Sequence, residues 1–304
     1  MLKAGLIWSG LLLPLMLYGL GALRRPPREA LSNQPLFQGI VYSRRVEARP
    51  HPQIVHILDI DLTAPGLKPF VTPGFKDAQP NTSSAFGQES LAQRTSRFLQ
   101  VHRLQVAVNA NYFYPFREET LWDYGPKEGE PANLLGLAIS EGEVVSLPQQ
   151  GWPALCFFPQ RAEIHASGDC PQGVEQAVAG NQVLLQNGQP TASVQALLNR
   201  PESEKPYPIN IAAIDASGAR LWLILSDGKQ PLYSEGTTLQ EMLDLLQTLG
   251  ATTAVKLDGG GSTTLAIATD TSSRVLNAVI HAKAPGQERP VGNHLGFFAE
   301  PVQP

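Results

Sequence analysis

A carboxylate followed by three glycines is the strongest candidate for chemistry in this sequence. Residues 255–265 read VKLDGGGSTTL, and a strand over this segment would place Lys256 and Asp258 on one face. Glycine permits positive φ and lets a ligand approach bare backbone N–H groups, which is the geometry of an anion nest. A tight turn between two strands would explain the same glycines without a ligand. The candidate anion-binding residues are Gly259, Gly260, Gly261 and Ser262.

A second polar motif, NANYF at residues 109–113, also follows a short apolar segment. Asn109 would present its amide group where that segment ends, and Tyr112 would offer an aromatic wall on which a sugar ring could stack. The alternative is an Asx turn that closes over aromatic residues of the core.

A third candidate is the dipeptide Glu288-Arg289, which lies between two apolar segments near the C-terminus. The planar guanidinium of Arg289 suits bidentate binding of phosphate. A surface ion pair between the two neighbours is the alternative. Glu235 and Asp227 lie in predicted turns at strand ends and are reserve candidates.

Several familiar sites are missing from the sequence. Neither the G-x-x-x-x-G-K-[ST] spacing of a P-loop nor a G-x-G-x-x-G that opens a helix is present, which argues against nucleotide binding. The six histidines show no zinc-binding spacing, and no G-x-S-x-G elbow of a serine hydrolase occurs. The net charge of −4 removes the electrostatic case for a nucleic-acid partner. We therefore expect no metal, no cofactor and no nucleic acid.

Two predicted helices lead to the first two motifs. Residues 84–102 carry apolar residues at helical spacing and precede a short apolar segment. Residues 238–250 form the second predicted helix, which begins with a capping box of Thr238 and Glu241 and precedes a strand over 253–257. Since open α/β sheets bind ligands at the carboxyl ends of their strands, we expect the motifs to meet in one cleft.

The remaining sequence is rich in strand and turn signals. Turn residues separate apolar segments at 135–147, 182–188 and 209–225, which predicts hairpins, and residues 53–62 alternate as a strand does. The 27 glycines and 26 prolines exclude a long helical bundle. The predicted fold class is therefore α+β, with a mixed, strand-rich sheet and a few packed helices in a single globular domain.

The N-terminus predicts export. Residues 4–23 contain no charge and are followed by arginines at 24 and 25. Their length suits a membrane-spanning helix and the small residues near their end suit cleavage, so residues 1–23 are interpreted as a signal peptide or a membrane anchor. A buried core helix is the alternative. Residues 24–50 are interpreted as a tether that leads into a first strand or two, and residues 51–300 as the globular domain.

The two cysteines, Cys156 and Cys170, lie close together in the sequence. A disulfide between them would close a short loop and fits an oxidising compartment. Two separate buried thiols are the alternative.

Taken together, four motifs resemble the phosphodiester glycosidase family: VNANYF (108–113), YSEGTTL (233–239), VKLDGGGSTTL (255–265) and ERPVGNHLG (288–296). The resemblance covers about residues 50–299 and implies a hydrolase that cleaves a sugar C1–phosphodiester bond in an envelope or extracellular glycan. Three departures from the family pattern stand out. Ala110 and Asn111 replace the two glycines of N-G-G-[YF]-F, and Lys256 stands where many members have asparagine. Ile209 stands where a P-R-T-A strand start has arginine.

The resemblance implies roles for the candidate residues. Asp258 would be the nucleophile or general base, and Glu288 the second of the two carboxylates that glycoside hydrolysis normally uses. Positive charge and N–H groups would neutralise the phosphate. The residues expected to bind substrate in one cleft are Asn109, Tyr112, Glu235, Lys256, Gly259, Gly260, Gly261, Ser262 and Arg289.

A membrane-tethered, non-catalytic binder of phosphorylated or acidic cell-envelope glycan is the competing hypothesis. The missing arginine at position 209 favours it, and the retention of Asp258 and Glu288 opposes it. Both hypotheses expect a glycan or sugar-phosphate ligand, contact with the membrane through residues 4–23, and a location on the periplasmic or extracellular face.

Overall fold

The computed structural model describes residues 18–75, 89–120 and 123–302. Its strands, in chain order, are β1 (Leu31–Phe37), β2 (Ile40–Glu47), β3 (Gln53–Asp61), β4 (Lys68–Val71), β5 (Ser90–Leu91), β6 (Val106–Asn109), β7 (Phe113–Tyr114), β8 (Pro131–Leu134), β9 (Ala138–Ser140), β10 (Glu143–Ser146), β11 (Ala154–Phe158), β12 (Arg161–His165), β13 (Gln176–Ala179), β14 (Gln182–Gln186), β15 (Gln189–Pro190), β16 (Asn210–Ile214), β17 (Arg220–Ser226), β18 (Thr253–Lys256), β19 (Leu265–Ala268), β20 (Ser273–Val275), β21 (Ile280–His281), β22 (Ala284–Pro285) and β23 (His294–Phe298). The helices are α1 (Thr95–His102), α2 (Ala192–Leu198) and α3 (Leu239–Leu249), with 3-10 turns at Pro201–Glu204 and Gly260–Ser262, and residues 18–22 are also helical.

Three antiparallel sheets make up most of the structure. An eight-stranded sheet has the order β1-β2-β3-β17-β16-β18-β14-β15. One five-stranded sheet has the order β10-β9-β13-β11-β12, and the other has the order β20-β19-β6-β23-β4. The strand-rich α+β architecture predicted from the sequence is confirmed, in a single globular domain.

The largest hydrophobic cluster joins the three sheets. Leu58 and Leu223 of the eight-stranded sheet pack with Val108 and Phe297 of one five-stranded sheet and with Leu155 of the other. The opposite face of the eight-stranded sheet is covered by α3 and α2, whose contacts form a second cluster. Because this sheet is buried on both faces, its central strands are apolar at almost every position, as in NIAAI of β16.

Helix α3 begins and ends where the sequence predicts. The Thr238 hydroxyl accepts a hydrogen bond from the Glu241 backbone N–H at 3.2 Å, and the Glu241 carboxylate accepts one from the Thr238 N–H at 2.8 Å. Gly250 ends the helix with φ +79°. The hairpins β9–β10, β14–β15 and β16–β17 also form as predicted.

Two sequence-based boundaries need correction. The predicted tether, residues 24–50, contains β1 and β2, and β2 pairs with β3 along its whole length. Its alternating residues Ile40 and Tyr42 enter the core, a pattern that the surrounding arginines obscure. The helix predicted over 84–102 begins only at Thr95, and its residues 84–88 lie outside the described residues.

Residues 25 and 26 lie against the domain. The Tyr233 hydroxyl donates to the Pro26 carbonyl at 2.8 Å, and Arg25 Nε donates to the Gln230 side chain at 2.7 Å. In the part of the chain that is described, no helix is both long enough and apolar enough to cross a bilayer. Most of the predicted span at residues 4–23 falls outside that part.

Cys156 and Cys170 form a disulfide, with their Cα atoms 5.8 Å apart. The bond ties β11 to the loop that follows β12, and it confirms the predicted pairing.

Candidate functional site

The two polar motifs meet at the ends of β6 and β18. The Asn109 amide donates to the backbone carbonyl of Asp258 at 2.6 Å, and the Asp258 N–H donates to the Ala110 carbonyl at 2.9 Å. The strands belong to different antiparallel sheets, so the meeting point is a junction between sheets and not the edge of one open α/β sheet.

Both polar groups of the Asn109 side chain form hydrogen bonds at this junction. Its side-chain oxygen accepts from the Thr264 N–H at 3.0 Å, and its backbone carbonyl accepts from the Asn210 amide at 2.7 Å. Because the side chain is completely buried and both of its polar groups are bonded within the protein, it holds the glycine loop in place. The geometry gives Asn109 a structural role in place of the expected contact with sugar.

Asp258 is a buried carboxylate at the end of β18. Burial raises its pKa from 3.8 to about 6, although hydrogen bonds from the Ser262 side chain and the Gly259 backbone and the positive charges of Arg289 and Lys229 act in the opposite direction. At neutral pH the group is therefore mostly ionised, yet its pKa lies close enough to neutrality for proton exchange.

Arg289 lies beside this carboxylate, and its positive charge acts on it. Its Nη1 donates to the Ser262 hydroxyl at 3.2 Å, and its Nε donates to His281 Nδ1 at 3.3 Å. The guanidinium also stands over the Phe116 ring, 4.6 Å from its centroid, and 5.7 Å from that of Tyr124. Burial and Arg289 together lower the pKa of His281 to about 4, so this imidazole is neutral and can accept the hydrogen bond.

The glycine triplet is required by close packing. A Cβ on Gly259 would lie 2.8 Å from the Pro208 carbonyl oxygen, and one on Gly260, whose φ is +62°, would lie 2.7 Å from the Tyr207 hydroxyl. A Cβ on Gly261 would overlap the guanidinium of Arg289. Only glycine can occupy these positions while the neighbouring groups keep their places.

The same loop is less open to anions than the sequence predicts. The Gly260 N–H donates to the Pro208 carbonyl at 2.9 Å, and the Ser262 N–H donates to the Gly259 carbonyl at 3.1 Å. The Gly259 N–H is engaged by the Asp258 carboxylate. Since these donors already have partners, cationic side chains and the Ser262 hydroxyl are the better candidates for binding an anion.

Two residues that the sequence analysis missed complete the site. Lys229 Nζ donates to the Tyr207 hydroxyl at 2.9 Å and lies 4.5 Å from the centroid of that ring. Tyr207 precedes β16 and Lys229 follows β17, and the antiparallel pairing of these strands brings both residues to the edge where β18 ends. The predicted hairpin over 209–225 could have indicated that Tyr207 and Lys229 lie close together, because the residues that flank a hairpin share one end of the sheet.

Tyr112 and Lys256 border the same carboxylate. Burial and the negative charge of Asp258 raise the pKa of Tyr112, whose ring packs edge-on against Trp152 at 5.5 Å. Burial lowers the pKa of Lys256, and Asp258 opposes that change. A role of Tyr112 and Lys256 in substrate binding stays a prediction.

Glu288 faces away from this cleft. Its carboxylate oxygens accept hydrogen bonds from the Ser96 N–H at 2.7 Å and the Ser96 hydroxyl at 2.6 Å, in the first turn of α1. Burial raises the pKa of Glu288, while the bonds from Ser96 lower it. The geometry therefore assigns this residue to capping of α1, and the expectation of a second catalytic carboxylate at this position needs correction.

The two reserve carboxylates also have other neighbours. Asp227 forms a fully buried pair with His56, whose Nε2 lies 3.2 Å from the carboxylate. Glu235 is fixed through its backbone, which donates to the Pro52 carbonyl at 2.8 Å and accepts from the Lys229 N–H at 3.3 Å. Glu235 thus lies next to Lys229 at the border of the site.

Comparisons with known proteins identify the family and the fold. The family model described as phosphodiester glycosidase matches residues 102–298. A comparison of the sequence with curated proteins found no match.

Solved structures that resemble the domain include the following three. The zebrafish N-acetylglucosamine-1-phosphodiester α-N-acetylglucosaminidase catalytic domain, auto-inhibited by its pro-peptide, has a TM-score of 0.58 and 18% identity over 91% of this chain and 87% of that one. A hypothetical protein from Synechocystis has a TM-score of 0.58 and 14% identity over 91% of this chain and 64% of that one. A putative exported protein from Burkholderia pseudomallei has a TM-score of 0.52 and 14% identity, with coverage of 81% and 74%.

Proposed function

The chain belongs to the phosphodiester glycosidase family, and from this membership and the surroundings of Asp258 we propose that it hydrolyses the bond between C1 of a sugar and a phosphodiester oxygen. The observation that carries the proposal is the connected group of Asp258, Ser262 and Arg289. The buried Asp258 carboxylate has a pKa of about 6 and accepts a hydrogen bond from the Ser262 hydroxyl. The same hydroxyl accepts a hydrogen bond from the Arg289 guanidinium, whose Nη1 lies 3.2 Å from it. One group can act on C1 while the other holds the phosphate.

Arg289 and Lys229 supply the positive charge for the phosphodiester. Arg289 is half-buried and orients two donor nitrogens by its contacts with Ser262 and His281. Lys229 stands beside Tyr207, and its positive charge also acts on Asp258. These cations compensate for the isoleucine at position 209, where the family pattern has arginine, and they stabilise the charge that develops on the leaving phosphate.

Asp258 acts as a general base in the proposed reaction. It accepts a proton from a water molecule, and the water oxygen forms a bond to C1. The C1–O bond to phosphate breaks, its electron pair stays on the phosphate oxygen, and a phosphomonoester leaves. Direct attack by the carboxylate on C1 is the alternative role for the same residue, and it would retain the configuration at C1, whereas the water attack inverts it.

The reaction does not depend on a second carboxylate at Glu288. A phosphomonoester is a weaker base than an alcohol, so its departure needs charge neutralisation more than protonation. Arg289 and Lys229 provide that neutralisation, which agrees with the position of Glu288 at Ser96.

The site of action is outside the cytoplasm. The disulfide between Cys156 and Cys170 fits an oxidising compartment, and the uncharged residues 4–23 fit an export signal or an anchor. An envelope or extracellular glycan that contains a sugar 1-phosphodiester is the corresponding substrate class.

The direct test uses the purified full-length chain with methyl N-acetylglucosamine-1-phosphodiester, chosen because the zebrafish relative is named for this linkage. In H₂¹⁸O, cleavage at C1 places the label in the released sugar, and cleavage at phosphorus places it in the phosphate. We expect the label in the sugar, no turnover by Asp258→Asn, and normal turnover by Asp244→Asn, an exposed control on α3. Binding of the diester without turnover would support the non-catalytic glycan binder.

A further inference from the structure

An apolar cavity adjoins the candidate site on the α3 side of the eight-stranded sheet. Its volume is about 470 Å³, which is within the range of small-molecule sites. Its aliphatic walls come from β14, α2, α3, β16 and the residue before β16: Leu184, Leu197, Ile209, Ile211, Leu239 and Met242. Two of these side chains, Leu197 and Leu239, are half-buried, so the cavity is open to solvent at their side.

Lys256 and Tyr207 connect this cavity to Asp258. Both residues line the cavity. Lys256 is the last residue of β18 and precedes Asp258 by two positions, and the charge of Asp258 acts on it. The Tyr207 hydroxyl lies 2.7 Å from where a Cβ of Gly260 would be, which puts the tyrosine between the glycine loop and the cavity.

The charged residues of the cavity are mainly cationic. Arg200 and Lys205 line it together with Lys256, and Glu202 is the single acidic residue among the lining. Cations at the border and aliphatic side chains in the interior match a ligand with an anionic group joined to a hydrocarbon group. A second sugar would require free hydrogen-bonding groups inside the cavity. The polar side chains of Gln182, Ser203 and Thr237 also line it, and each of them already donates a hydrogen bond to another group of the protein.

We propose that this cavity binds an aliphatic group esterified to the phosphate, so that the substrates are sugar 1-phosphodiesters of hydrophobic alcohols. This inference rests on the proposed function, since it assigns the leaving-group side of the same reaction. The sugar lies on the Arg289 side of Asp258, the phosphate lies between the cations, and the hydrocarbon passes Tyr207 into the cavity.

The test compares methyl and octyl esters of N-acetylglucosamine 1-phosphate with the full-length chain. Burial of the octyl chain is expected to raise kcat/KM at least about tenfold over the methyl ester. Leu197→Glu places a charge at the cavity opening and should remove the preference for the octyl ester over the methyl ester. Ala196→Glu is the matched control, because Ala196 is exposed on the same helix and does not line the cavity.

The results separate the two proposals. An octyl preference that Leu197→Glu removes and Ala196→Glu keeps supports the cavity. Equal kcat/KM for both esters, or an octyl preference that survives Leu197→Glu, overturns it and leaves the glycosidase proposal intact.

If neither ester is cleaved, the glycosidase proposal fails and calorimetry decides on the cavity. Octyl phosphate must then bind more tightly than methyl phosphate to wild type, and the difference must disappear in Leu197→Glu, or the cavity proposal is wrong as well.

Soluble and membrane-bound substrates could both carry a sugar phosphate esterified to a hydrocarbon. A further experiment distinguishes them. The same sugar phosphate is offered as the octyl ester in solution and as a long-chain prenyl ester in phosphatidylcholine vesicles. Faster cleavage of the octyl ester identifies a soluble amphiphile, and faster cleavage in vesicles identifies a lipid. In both cases Leu197→Glu must be slower than wild type, and an unchanged rate would count against the cavity.

Discussion

The guanidinium of Arg289 occupies the space that a side chain at Gly261 would need. The two residues are 28 positions apart, and the contact between them fixes where the cation stands relative to Ser262. The absence of a side chain at Gly261 thus leaves room for the guanidinium of Arg289.

Gly261→Ala is therefore expected to displace Arg289. We predict a loss of kcat/KM of roughly 10²-fold with a folded protein, because a misplaced charge stabilises the transition state poorly. Gly74→Ala is the control, since a Cβ there meets only ordinary contacts at 3.6 Å or more. Steady-state kinetics and thermal melts of both variants check the prediction, and full activity in Gly261→Ala would exclude a role for the position of Arg289.

The pH dependence of turnover should follow Asp258. A base must be deprotonated, and burial raises the pKa of this carboxyl to about 6. We predict that kcat/KM rises about tenfold per pH unit below pH 6 and is constant above it. A profile measured from pH 4 to pH 9 with the methyl ester tests this, and a rate that falls as pH rises through 6 would assign the residue an acid role.

Asp258→Asn should abolish turnover and stabilise the fold. The folded protein binds the Asp258 proton more tightly than the unfolded chain does, so this stabilising contribution is complete below pH 4 and is lost as pH rises through 6. The difference between 3.8 and about 6 corresponds to at most about 3 kcal/mol at pH 8. Asparagine resembles the protonated form, so the variant should gain stability over wild type as pH increases from 4 to 8. Denaturant unfolding at both pH values measures the gain, and a less stable variant at pH 8 would contradict the prediction.

Glu288→Ala should affect stability more than catalysis. The substitution removes two hydrogen bonds to Ser96 at the start of α1, which corresponds to a loss of about 1–2 kcal/mol. We expect kcat within about threefold of wild type, because the carboxylate acts on α1 and not on the substrate. Ser96→Ala removes only the hydrogen bond from the hydroxyl and keeps the one from the backbone N–H, so its melting temperature should fall less than that of Glu288→Ala. A loss of kcat by several orders of magnitude in Glu288→Ala alone would restore this residue as the second carboxylate.

Local sequence determined the elements that depend on neighbouring residues. The capping box at Thr238 and the glycine at 250 set the limits of α3, and turn residues set the hairpins, because those signals act over a few positions. The clustering of Asp258 with Ser262 was likewise readable, since a 3-10 turn brings two such close positions together.

Tertiary structure alone decided which distant groups share the site. Glu288 and Arg289 are adjacent in sequence, yet their side chains diverge, and one reaches Ser96 while the other reaches Ser262. The amide of Asn109 is a group that often binds ligands, but here the side chain is completely buried. Its amide instead donates a hydrogen bond that links two sheets. Tyr207 and Lys229 join the site because the pairing of β16, β17 and β18 brings their flanking residues to one edge. These outcomes depend on how three sheets pack, and packing is a sum of many distant contacts that no single motif contains.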